Sequence, residues 1–344
     1  MTYSAQQWRN NQPVKSILII GIGSIGERHL RCFQSTGRCR VAACDPSAAL
    51  REKISSHYGC EAHASVEDAL AAGPWDAAVI CTPANTHIPI ARTCVAAGLS
   101  VLIEKPLSVS LDGLDALATE AESSGRVVRV AYTHRSIPTN IALREIVQSG
   151  QLGSLKHVTM VAGQNFPAGR PAYASTYYAQ RSSGGGCIQD ALTHLLHLVE
   201  WIVAPIETVY CEASHQALET ADVEDTVNLI AKLEGDIPAS FTTNQFQAPN
   251  ELTLTLHGLK GSARAEIHRQ RVGLLFLGDM EWTWTPLPTE ERDATFVRQA
   301  KAFLNACEGK PDHLSTLAEA TQTLRVNLAA LQSSDTKCLV AISH

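Results

Sequence analysis

The sequence predicts an α/β domain with a doubly wound parallel sheet, followed by an α+β domain with a mostly antiparallel open sheet. In roughly the first 135 of its 344 residues, short apolar runs alternate with helix-like segments. Such alternation is typical of parallel sheets that are covered by helices on both faces. Farther on, strand-like runs follow one another with few helices, which indicates antiparallel pairing. Since a typical domain holds ~100–200 residues, we expect two domains, at 14–135 and 136–335, with C-terminal helices that pack back on the first.

The first domain is predicted from apolar runs without alternation, as expected for strands that are buried on both faces. These runs lie at 17–20, 41–44, 76–81, 99–103 and 127–132. One helix follows the first run directly, and the others are expected at 47–58, 65–72, 88–97 and 111–123. Ser65 and Asp68 form a capping pattern at the start of the helix at 65–72, and Gly98 ends the helix at 88–97.

The second domain is predicted from alternating runs at 155–164, 226–233 and 252–257, the last of which turns through 258–261 into 262–268. A glycine-containing turn between two such runs is typical of a hairpin. The pattern continues at 272–277 and 282–284, and helices are expected at 138–149, 187–203, 290–307 and 315–332. We therefore expect a mostly antiparallel sheet with a small number of helices.

The composition argues against several classes of protein. A formal charge of −6 without a cluster of Lys and Arg argues against a nucleic-acid-binding protein. No apolar run reaches the ~18 residues of a membrane span, and residues 1–14 lack the apolar centre of a signal peptide. The ten cysteines form no CxxC pair and lie mostly in apolar runs, which is typical of a reducing compartment. We expect a soluble, cytoplasmic protein without a nucleic-acid or membrane partner.

Three glycines follow the first apolar run at the spacing GxGxxG. Gly21 allows a tight turn off the strand, Gly23 lets backbone amides approach a pyrophosphate, and Gly26 lets the helix and the strand pack closely. The helix that follows offers unpaired N–H groups and its positive dipole end to phosphates. We therefore expect the whole turn, including Ser24 and Ile25, to bind a dinucleotide.

An aspartate, Asp45, ends the second apolar run nineteen residues after Gly26. At this distance its carboxylate would accept hydrogen bonds from the adenosine ribose hydroxyls, which favours NAD over NADP because a 2′-phosphate would be repelled. The alternative is a glycine-rich turn in some other βα unit. The preceding strand, the following helix and the acidic residue together favour the dinucleotide site.

A polar stripe interrupts the otherwise apolar helix predicted at 187–203. Asp190, His194 and His197 fall on one face, because positions three and four apart are neighbours on a helix. One interpretation is an amphipathic helix with a solvated stripe. The residue types favour proton transfer, since a carboxylate can orient a histidine and a histidine titrates near neutral pH. A metal site would lack an identifiable fourth ligand, so no metal is predicted.

Four motifs in this order resemble those of the Gfo/Idh/MocA oxidoreductases, the relatives of glucose–fructose oxidoreductase and inositol dehydrogenase. They are GIGSIG with Asp45, TPANTH at 82–87, EKPL at 104–107, and GGG-x3-D-x3-H at 184–194. The segments 135–153 and 258–266 are also similar to the family's bridge between domains and to a hairpin in its sheet. The resemblance covers about residues 14–335.

The resemblance implies an N-terminal Rossmann domain, a C-terminal open antiparallel sheet, and assembly into a homodimer or homotetramer through the exposed face of that sheet. It implies that Lys105 contacts both the nicotinamide region and the substrate hydroxyl, and that Asp190 and His194 complete a catalytic triad. Further cofactor contacts are expected at the carboxyl edge of the first sheet, from Thr82, Pro83, Asn85, His87, Glu104 and Lys105.

Such a triad suits oxidation of a secondary alcohol, which needs a base for the hydroxyl proton while hydride leaves carbon for the nicotinamide. We assign the base to His194, oriented by Asp190, and expect Lys105 to hold the hydroxyl and favour its developing negative charge. A cis bond before Pro106 would aim Lys105 inward, since cis bonds are nearly confined to X–Pro. Without the resemblance, a surface lysine after a strand would be the better interpretation of Lys105.

The sequence departs from the family pattern, so the substrate is not inherited from it. Many relatives have a glycine and an acidic residue where this chain has Leu192 and His197, and Tyr-Asn-x-Arg where it has YTHR at 132–135. The loop at 164–181 is rich in aromatic and hydrogen-bonding groups that suit a polyhydroxylated ring, although an ordinary surface loop is the alternative. Besides the triad, we expect three residues of this loop to contact the substrate: Asn165, Arg170 and Tyr173.

The sequence therefore predicts an NAD-dependent dehydrogenase that oxidises a secondary hydroxyl of a sugar, a cyclitol or a sugar derivative. NADP is the less favoured cofactor. Two alternatives stay open, namely NAD-assisted glycoside cleavage through transient oxidation and a non-catalytic NAD-binding sensor. The presence of Lys105, Asp190 and His194 argues against a sensor, which needs no proton-transfer residues.

Overall fold

The computed structural model describes residues 15–171, 176–219 and 223–343, so the N-terminal segment 1–14 and Tyr173 lie outside the described residues. Within these ranges the chain builds one sheet of seven strands and one of nine. The first is parallel except at one edge, and the second is antiparallel except for one pair of strands. This arrangement confirms the predicted fold class.

Six parallel strands form the first sheet: β1 (Lys15–Ile20), β2 (Cys39–Cys44), β3 (Ala62–His63), β4 (Ala77–Ile80), β5 (Ser100–Ile103) and β6 (Val128–Val130). Their order is β3-β2-β1-β4-β5-β6, and β15 (Ser315–Thr316) pairs antiparallel with β6 at the edge. The order reverses between β1 and β4, and ligands of such sheets bind at this switch point. The helices of this region are α1 (Ser24–Ser35), α2 (Ala48–Tyr58), α3 (Val66–Ala72), α4 (His87–Ala96) and α5 (Leu114–Ser124).

The ends of these helices agree with the predicted capping pattern. The Asp68 N–H donates to Ser65 Oγ at 3.0 Å, which provides one of the unpaired donors at the start of α3 with an acceptor. Beyond α4, Gly98 adopts φ +84°, a left-handed conformation that a side chain would disfavour. The two-residue strand β3 was not predicted, because two residues are too few to show a periodic pattern.

Nine strands form the second sheet: β7 (Leu155–Asn165), β8 (Ile206–Ser214), β9 (Thr226–Leu233), β10 (Ile237–Asn244), β11 (Phe246–Gly258), β12 (Gly261–Glu266), β13 (Arg271–Phe276), β14 (Thr283–Pro286) and β16 (Val340–Ala341). Their order is β14-β13-β12-β11-β7-β10-β9-β8-β16, in which β7 and β10 form the parallel pair. The predicted hairpin connects β11 to β12, and the predicted strand at 226–233 coincides with β9.

One face of the second sheet is covered by helices. Alternate residues of β9, such as Val227 and Leu229, point into a core that they share with α6 (Pro138–Gln148), α8 (Thr193–Ile202) and α10 (Leu317–Thr336). The intervening residues of β9 are exposed, so the opposite face of this strand is not covered by the described chain. The short helix α7 (Phe166–Gly169) follows β7 directly.

Both C-terminal helices pack on the first sheet, and one of them also packs on the second sheet. Helix α9 (Ala294–Cys307) places Phe303 in one core with Ile17 and Phe33 of the first sheet layer. Helix α10 contributes Leu324 to the other core of the first sheet and Val326 to the core of the second sheet. Because α10 packs on both sheets, it holds in place the two sides of the space between them.

Two further features bear on the expectations from composition. All ten cysteines lie in the described residues, and all are free thiols. Among the described residues, no helix combines the length and the apolar character that crossing a membrane requires.

Candidate active site

The glycine turn after β1 has the geometry that each glycine was predicted to allow. Gly21 adopts φ +83° as the chain leaves the strand. A Cβ on Gly26 would lie 1.8 Å from the Gly21 carbonyl oxygen, so only hydrogen fits there. In contrast, no atom of the described residues lies within 4 Å of a Cβ placed on Gly23. Gly26 is therefore tightly packed against the turn, whereas the space beside Gly23 is open.

The start of α1 and the end of β2 complete this cradle. Helix α1 begins at Ser24, and no side chain caps its first N–H groups. Asp45 accepts hydrogen bonds from the Ile22 N–H at 3.0 Å and the Ser47 N–H at 2.8 Å. A carboxylate has about four acceptor positions, so two remain for ribose hydroxyls. The open space at Gly23, the uncapped helix and the carboxylate all fit a dinucleotide, with the diphosphate at the helix N-terminus.

The side chain of Lys105, at the end of β5, reaches the π-helical turn that precedes α8. Its Nζ donates to Asp190 Oδ1 at 2.8 Å and to the Asp190 carbonyl oxygen at 3.0 Å. The hydroxyl of Tyr177 donates to the same Oδ1 at 2.9 Å. The pair is largely buried, with side chains 12% and 6% exposed. The peptide bond between Lys105 and Pro106 is cis, as predicted.

The charges of this pair support each other. Burial is the largest influence on the pKa of Lys105 and would lower it, but Asp190, together with Tyr177 and Glu104, raises this pKa overall. Burial alone would raise the pKa of Asp190, but Lys105 and Arg170 outweigh burial and lower it. Both groups are therefore charged at neutral pH, and the ammonium lies in a region from which most water is excluded.

The surroundings of His194 differ from the prediction that Asp190 orients it. The hydrogen bonds of Asp190 run to Lys105 and Tyr177, because an ammonium is a stronger partner for a carboxylate than a neutral imidazole is. His194 Nδ1 is buried and has no hydrogen-bond partner among the described residues. Its ring stacks on His134, with ring centres 4.7 Å apart. Burial lowers the pKa of His194 well below its usual value, so the ring is neutral.

His197 does not belong to the polar site. Its Nε2 accepts from Arg135 Nε at 2.9 Å, its Nδ1 lies 2.9 Å from Thr323 Oγ1, and its ring stacks on Tyr132 at 3.8 Å. It is 1% exposed, so the solvated stripe is excluded as well. The face assignment assumed an α-helix throughout 187–203, whereas residues 188–192 form a π-helical turn. The longer turn changes which residues share a face.

Two residues predicted to contact the cofactor have side chains that are engaged within the protein. His87 is buried, with Nε2 2.8 Å from the Thr82 carbonyl and Nδ1 3.1 Å from the Pro106 carbonyl, and burial lowers its pKa. Glu104 lies 2.6 Å from His29 Nε2 and accepts from the Lys105 N–H at 3.0 Å. Both side chains therefore link neighbouring segments of the protein at the edge of the sheet.

The other predicted cofactor contacts at this edge remain available. Pro83 and Asn85 are exposed on the turn after β4, and Thr82 is half-buried. The backbone of Thr82 comes within 2.9 Å of a Cβ built on Gly21, so this turn lies directly against the glycine turn. The two neighbouring turns therefore form one continuous edge around the switch point.

A cavity of about 790 Å³ lies between the two sheets and contains the Lys105–Asp190 pair. The glycine helix lines it through Ile25 and Arg28, and the second sheet lines it through Thr243 and other polar residues. Of the residues predicted to contact substrate, Asn165 and Arg170 also line it. Among the described residues, no group of three or more metal-ligating side chains is suited to hold a metal ion.

Two residues that were not predicted, Tyr177 and His134, lie beside the predicted ones. Tyr177 lies in the recognised loop, but its hydrogen bond to Asp190 depends on how the loop folds. His134 lines the cavity and follows β6 at the carboxyl edge. Its position after a parallel strand was a usable indication, since ligands bind along that edge.

Comparison with known proteins identifies the chain as an oxidoreductase with an NAD-binding Rossmann fold. Residues 15–132 match the family described as "Oxidoreductase family, NAD-binding Rossmann fold". Residues 141–264 match the "GFO/IDH/MocA C-terminal domain". The chain belongs to the Gfo/Idh/MocA family, which confirms the resemblance seen in its motifs.

Individual relatives extend over nearly the whole chain. Inositol 2-dehydrogenase of Rhizobium meliloti (strain 1021) is 25% identical over 323 residues, 92% of this chain and 94% of the relative. The structure is similar to that of levoglucosan dehydrogenase in complex with NADH and levoglucosan, with a TM-score of 0.85, 18% identity, and coverage of 96% and 100%. The WlbA dehydrogenase from Bordetella pertussis in complex with NADH and UDP-GlcNAcA gives a TM-score of 0.83, 21% identity, and coverage of 96% and 99%. At these identities the solved structures support the fold.

Proposed function

We propose that the chain is an NAD-dependent dehydrogenase that oxidises a secondary hydroxyl of a sugar, a cyclitol or a sugar derivative. The observation that carries this proposal is the buried ion pair of Lys105 and Asp190 beside neutral His194, in a cavity next to the glycine turn. A cation and a neutral base within one cavity suit the removal of a proton from a hydroxyl group.

The cofactor is held by the edge of the first sheet. The N–H groups at the start of α1 bind the diphosphate, and Asp45 accepts hydrogen bonds from the ribose hydroxyls. The turn at Thr82, Pro83 and Asn85, whose Thr82 backbone lies against Gly21, would contact the nicotinamide half. When bound, NAD supplies the acceptor for the hydride that leaves the substrate carbon.

Two residues act on the substrate hydroxyl. His194 accepts its proton, and its low pKa leaves the imidazole in the base form at neutral pH. Lys105 donates a hydrogen bond to the same oxygen and stabilises its developing negative charge. An ammonium has about three donors, and Asp190 takes two of those on Lys105, so one remains for the substrate. Asp190 holds this ammonium in place.

The polar lining of the cavity favours a substrate rich in hydroxyl groups. Asn165, Asn244 and Thr243 offer uncharged donors and acceptors from neighbouring strands, and Arg170 adds a cation above the Phe166 ring. Relatives with the same fold are named for inositol and levoglucosan, which are polyhydroxylated rings. We extend that substrate class, a polyhydroxylated ring, to this chain.

The test is the appearance of NADH absorbance with a panel of aldoses, inositols and sugar acids, with NAD and NADP in parallel. The proposal predicts steady NADH formation with at least one member of the panel. Simple glycosides are tested alongside the panel, and a product cleaved from one of them without net NADH would favour NAD-assisted glycoside cleavage. Binding of NADH without turnover of any panel member would favour the sensor and contradict the proposal.

Asp45→Ala is expected to weaken NAD binding by roughly 10–100-fold, because a hydrogen bond to a charged group contributes about 1.5–3 kcal/mol. Preference for NAD over NADP should also relax, since the 2′-phosphate no longer meets a carboxylate. Fluorescence titrations with both cofactors measure this. Asp45→Asn is the matched control, because its amide oxygen can still accept from Ile22 or Ser47. An unchanged cofactor preference in the alanine variant would contradict the ribose assignment.

We also propose that copies of the chain associate through the uncovered face of the second sheet. Ile230 is 63% exposed on β9, and Tyr210 lies opposite it on β8. Ile230→Asp places a charge on this face and is expected to convert a dimer or tetramer to a smaller species in light-scattering measurements. Thr226→Asp, at the half-buried end of the same strand face, is the control and should have a smaller effect on the assembly. A wild-type chain that elutes as a monomer would contradict this assembly.

A further inference from the structure

We infer that His134 is a positioning residue that holds the ring of the proton acceptor His194 in its working orientation. This inference rests on the proposed function, because that function makes His194 the base. It assigns to an aromatic contact the task that the sequence pattern suggested for Asp190.

The ring of His194 is held by two aromatic neighbours. His134 stacks on its face, with ring centres 4.7 Å apart and planes inclined by 15°. Tyr132 meets it edge-on, with ring centres 6.0 Å apart and planes at 88°. Offset-stacked and edge-to-face arrangements at such distances are the favoured geometries of aromatic pairs. The imidazole therefore lies in a corner formed by two flat rings.

These neighbours are themselves fixed. The hydroxyl of Tyr132 is 3.0 Å from Thr193 Oγ1, and its ring also stacks on His197. His134 lies in a short 3-10 turn, and its carbonyl oxygen accepts from Asn140 Nδ2 at 2.9 Å. The corner is thus attached to β6, to α6 and to α8, so its shape is set by the fold.

An aromatic contact is needed because hydrogen bonding does not orient the ring. Asp190 is engaged by Lys105 and Tyr177, and His194 Nδ1 has no partner within the described part of the chain. The χ2 torsion of histidine is broad and roughly two-fold, so without a neighbour the ring would sample many tilts. Stacking on His134 restricts these tilts.

The groups around His194 also keep it uncharged. Burial has the largest influence on its low pKa, followed by His134, Lys105, His197 and Arg170. Tyr132 meets its ring edge-on, and Asp190 lines the same cavity. Burial and Lys105 likewise lower the pKa of His134, to about 4, so this ring brings no positive charge at neutral pH. Removal of the His134 ring would let water reach His194 and raise its pKa, which moves the acid limb of activity to higher pH.

The test compares His134→Ala with His134→Phe, which keeps a flat ring but has no nitrogen. The first measurement is the NMR titration of the His194 ring in the full chain, which needs no turnover. We expect the pKa of His194 to rise by about one unit in the alanine variant and to stay low in the phenylalanine variant. His57→Ala, on the exposed surface of α2, is the matched control and should leave the titration unchanged.

The second measurement is turnover as a function of pH. We expect kcat of His134→Ala to fall about tenfold with KM nearly unchanged, and His134→Phe to restore most of it. NADH fluorescence checks that both variants fold and bind cofactor. An alanine variant with an unchanged titration, or a phenylalanine variant with the same loss and a raised KM, would overturn the inference. Absence of turnover in the wild-type chain would instead overturn the proposed function, and the titration would still decide the role of His134.

Discussion

Replacement of Lys105 by alanine is expected to lower kcat on the order of 10²–10³-fold, the usual effect of removing one preorganised donor to a developing negative charge. The affinity for NADH should change less than about threefold, because the diphosphate and ribose are held by the glycine turn and Asp45. The physical reason is the position of the ammonium, which Asp190 holds at the edge of the cavity with one donor unused. Steady-state kinetics and NADH fluorescence measure the two effects separately.

A control is required because the same substitution leaves Asp190 buried without its ammonium. Breaking a buried pair typically costs about 3–5 kcal/mol, although Tyr177 still donates to this carboxylate. Lys105→Arg keeps the charge but replaces a compact ammonium by a planar fork, so it should fold well and turn over slowly. Undiminished turnover in Lys105→Ala would remove Lys105 from the mechanism.

Two glycine substitutions are expected to affect cofactor binding for different reasons. In Gly26→Ala the new Cβ would lie 1.8 Å from the Gly21 carbonyl oxygen, so α1 must move away from β1. Overpacking of this kind costs roughly 1–3 kcal/mol or more, so the variant should melt earlier and lose most of its NADH affinity. Thermal unfolding and NADH titration measure both effects.

Gly23→Ala is the matched variant. Its Cβ would meet no atom of the described residues within 4 Å, and its φ of −61° suits any residue, so the fold should keep its thermal stability. The methyl group would nevertheless occupy the space proposed for the diphosphate, and NADH affinity should fall at least about tenfold. Normal affinity in Gly23→Ala would show that the diphosphate does not approach this turn.

Much of the fold could be predicted because local patterns and the fold agree. The unbroken apolar runs correspond to parallel strands that are buried on both faces. The alternating run at 226–233 corresponds to β9, in which buried and exposed residues alternate. The cap at Ser65 depends on neighbouring residues alone, so its prediction needed no tertiary information. The two-residue strands β3 and β15 depend on long-range pairing and left no pattern.

The sequence suggested candidate site residues, but it did not predict the contacts that the structure gives them. Lys105, Asp190 and His194 line one cavity, because a strand end and a helix meet between the sheets. The partner of Asp190 depends on the π-helical turn at 188–192, which a helical wheel does not represent. The contact between His87 and the Pro106 carbonyl likewise joins segments that are separated in sequence. Three-dimensional proximity of this kind leaves no local periodicity.

The most direct test of the proposed hydride transfer follows the hydride itself. The full chain is incubated with NAD and a panel of polyols that carry deuterium on the carbinol carbon, and the reduced cofactor is examined by mass spectrometry. We expect deuterium in the reduced cofactor with the wild-type chain, and on the order of 10²–10³-fold less transfer with Lys105→Ala. Tight binding of NADH with no deuterium transferred from any polyol would contradict this proposal. A deuterated glycoside, added in parallel, tests the alternative: deuterium retained in its cleaved product would indicate NAD-assisted cleavage.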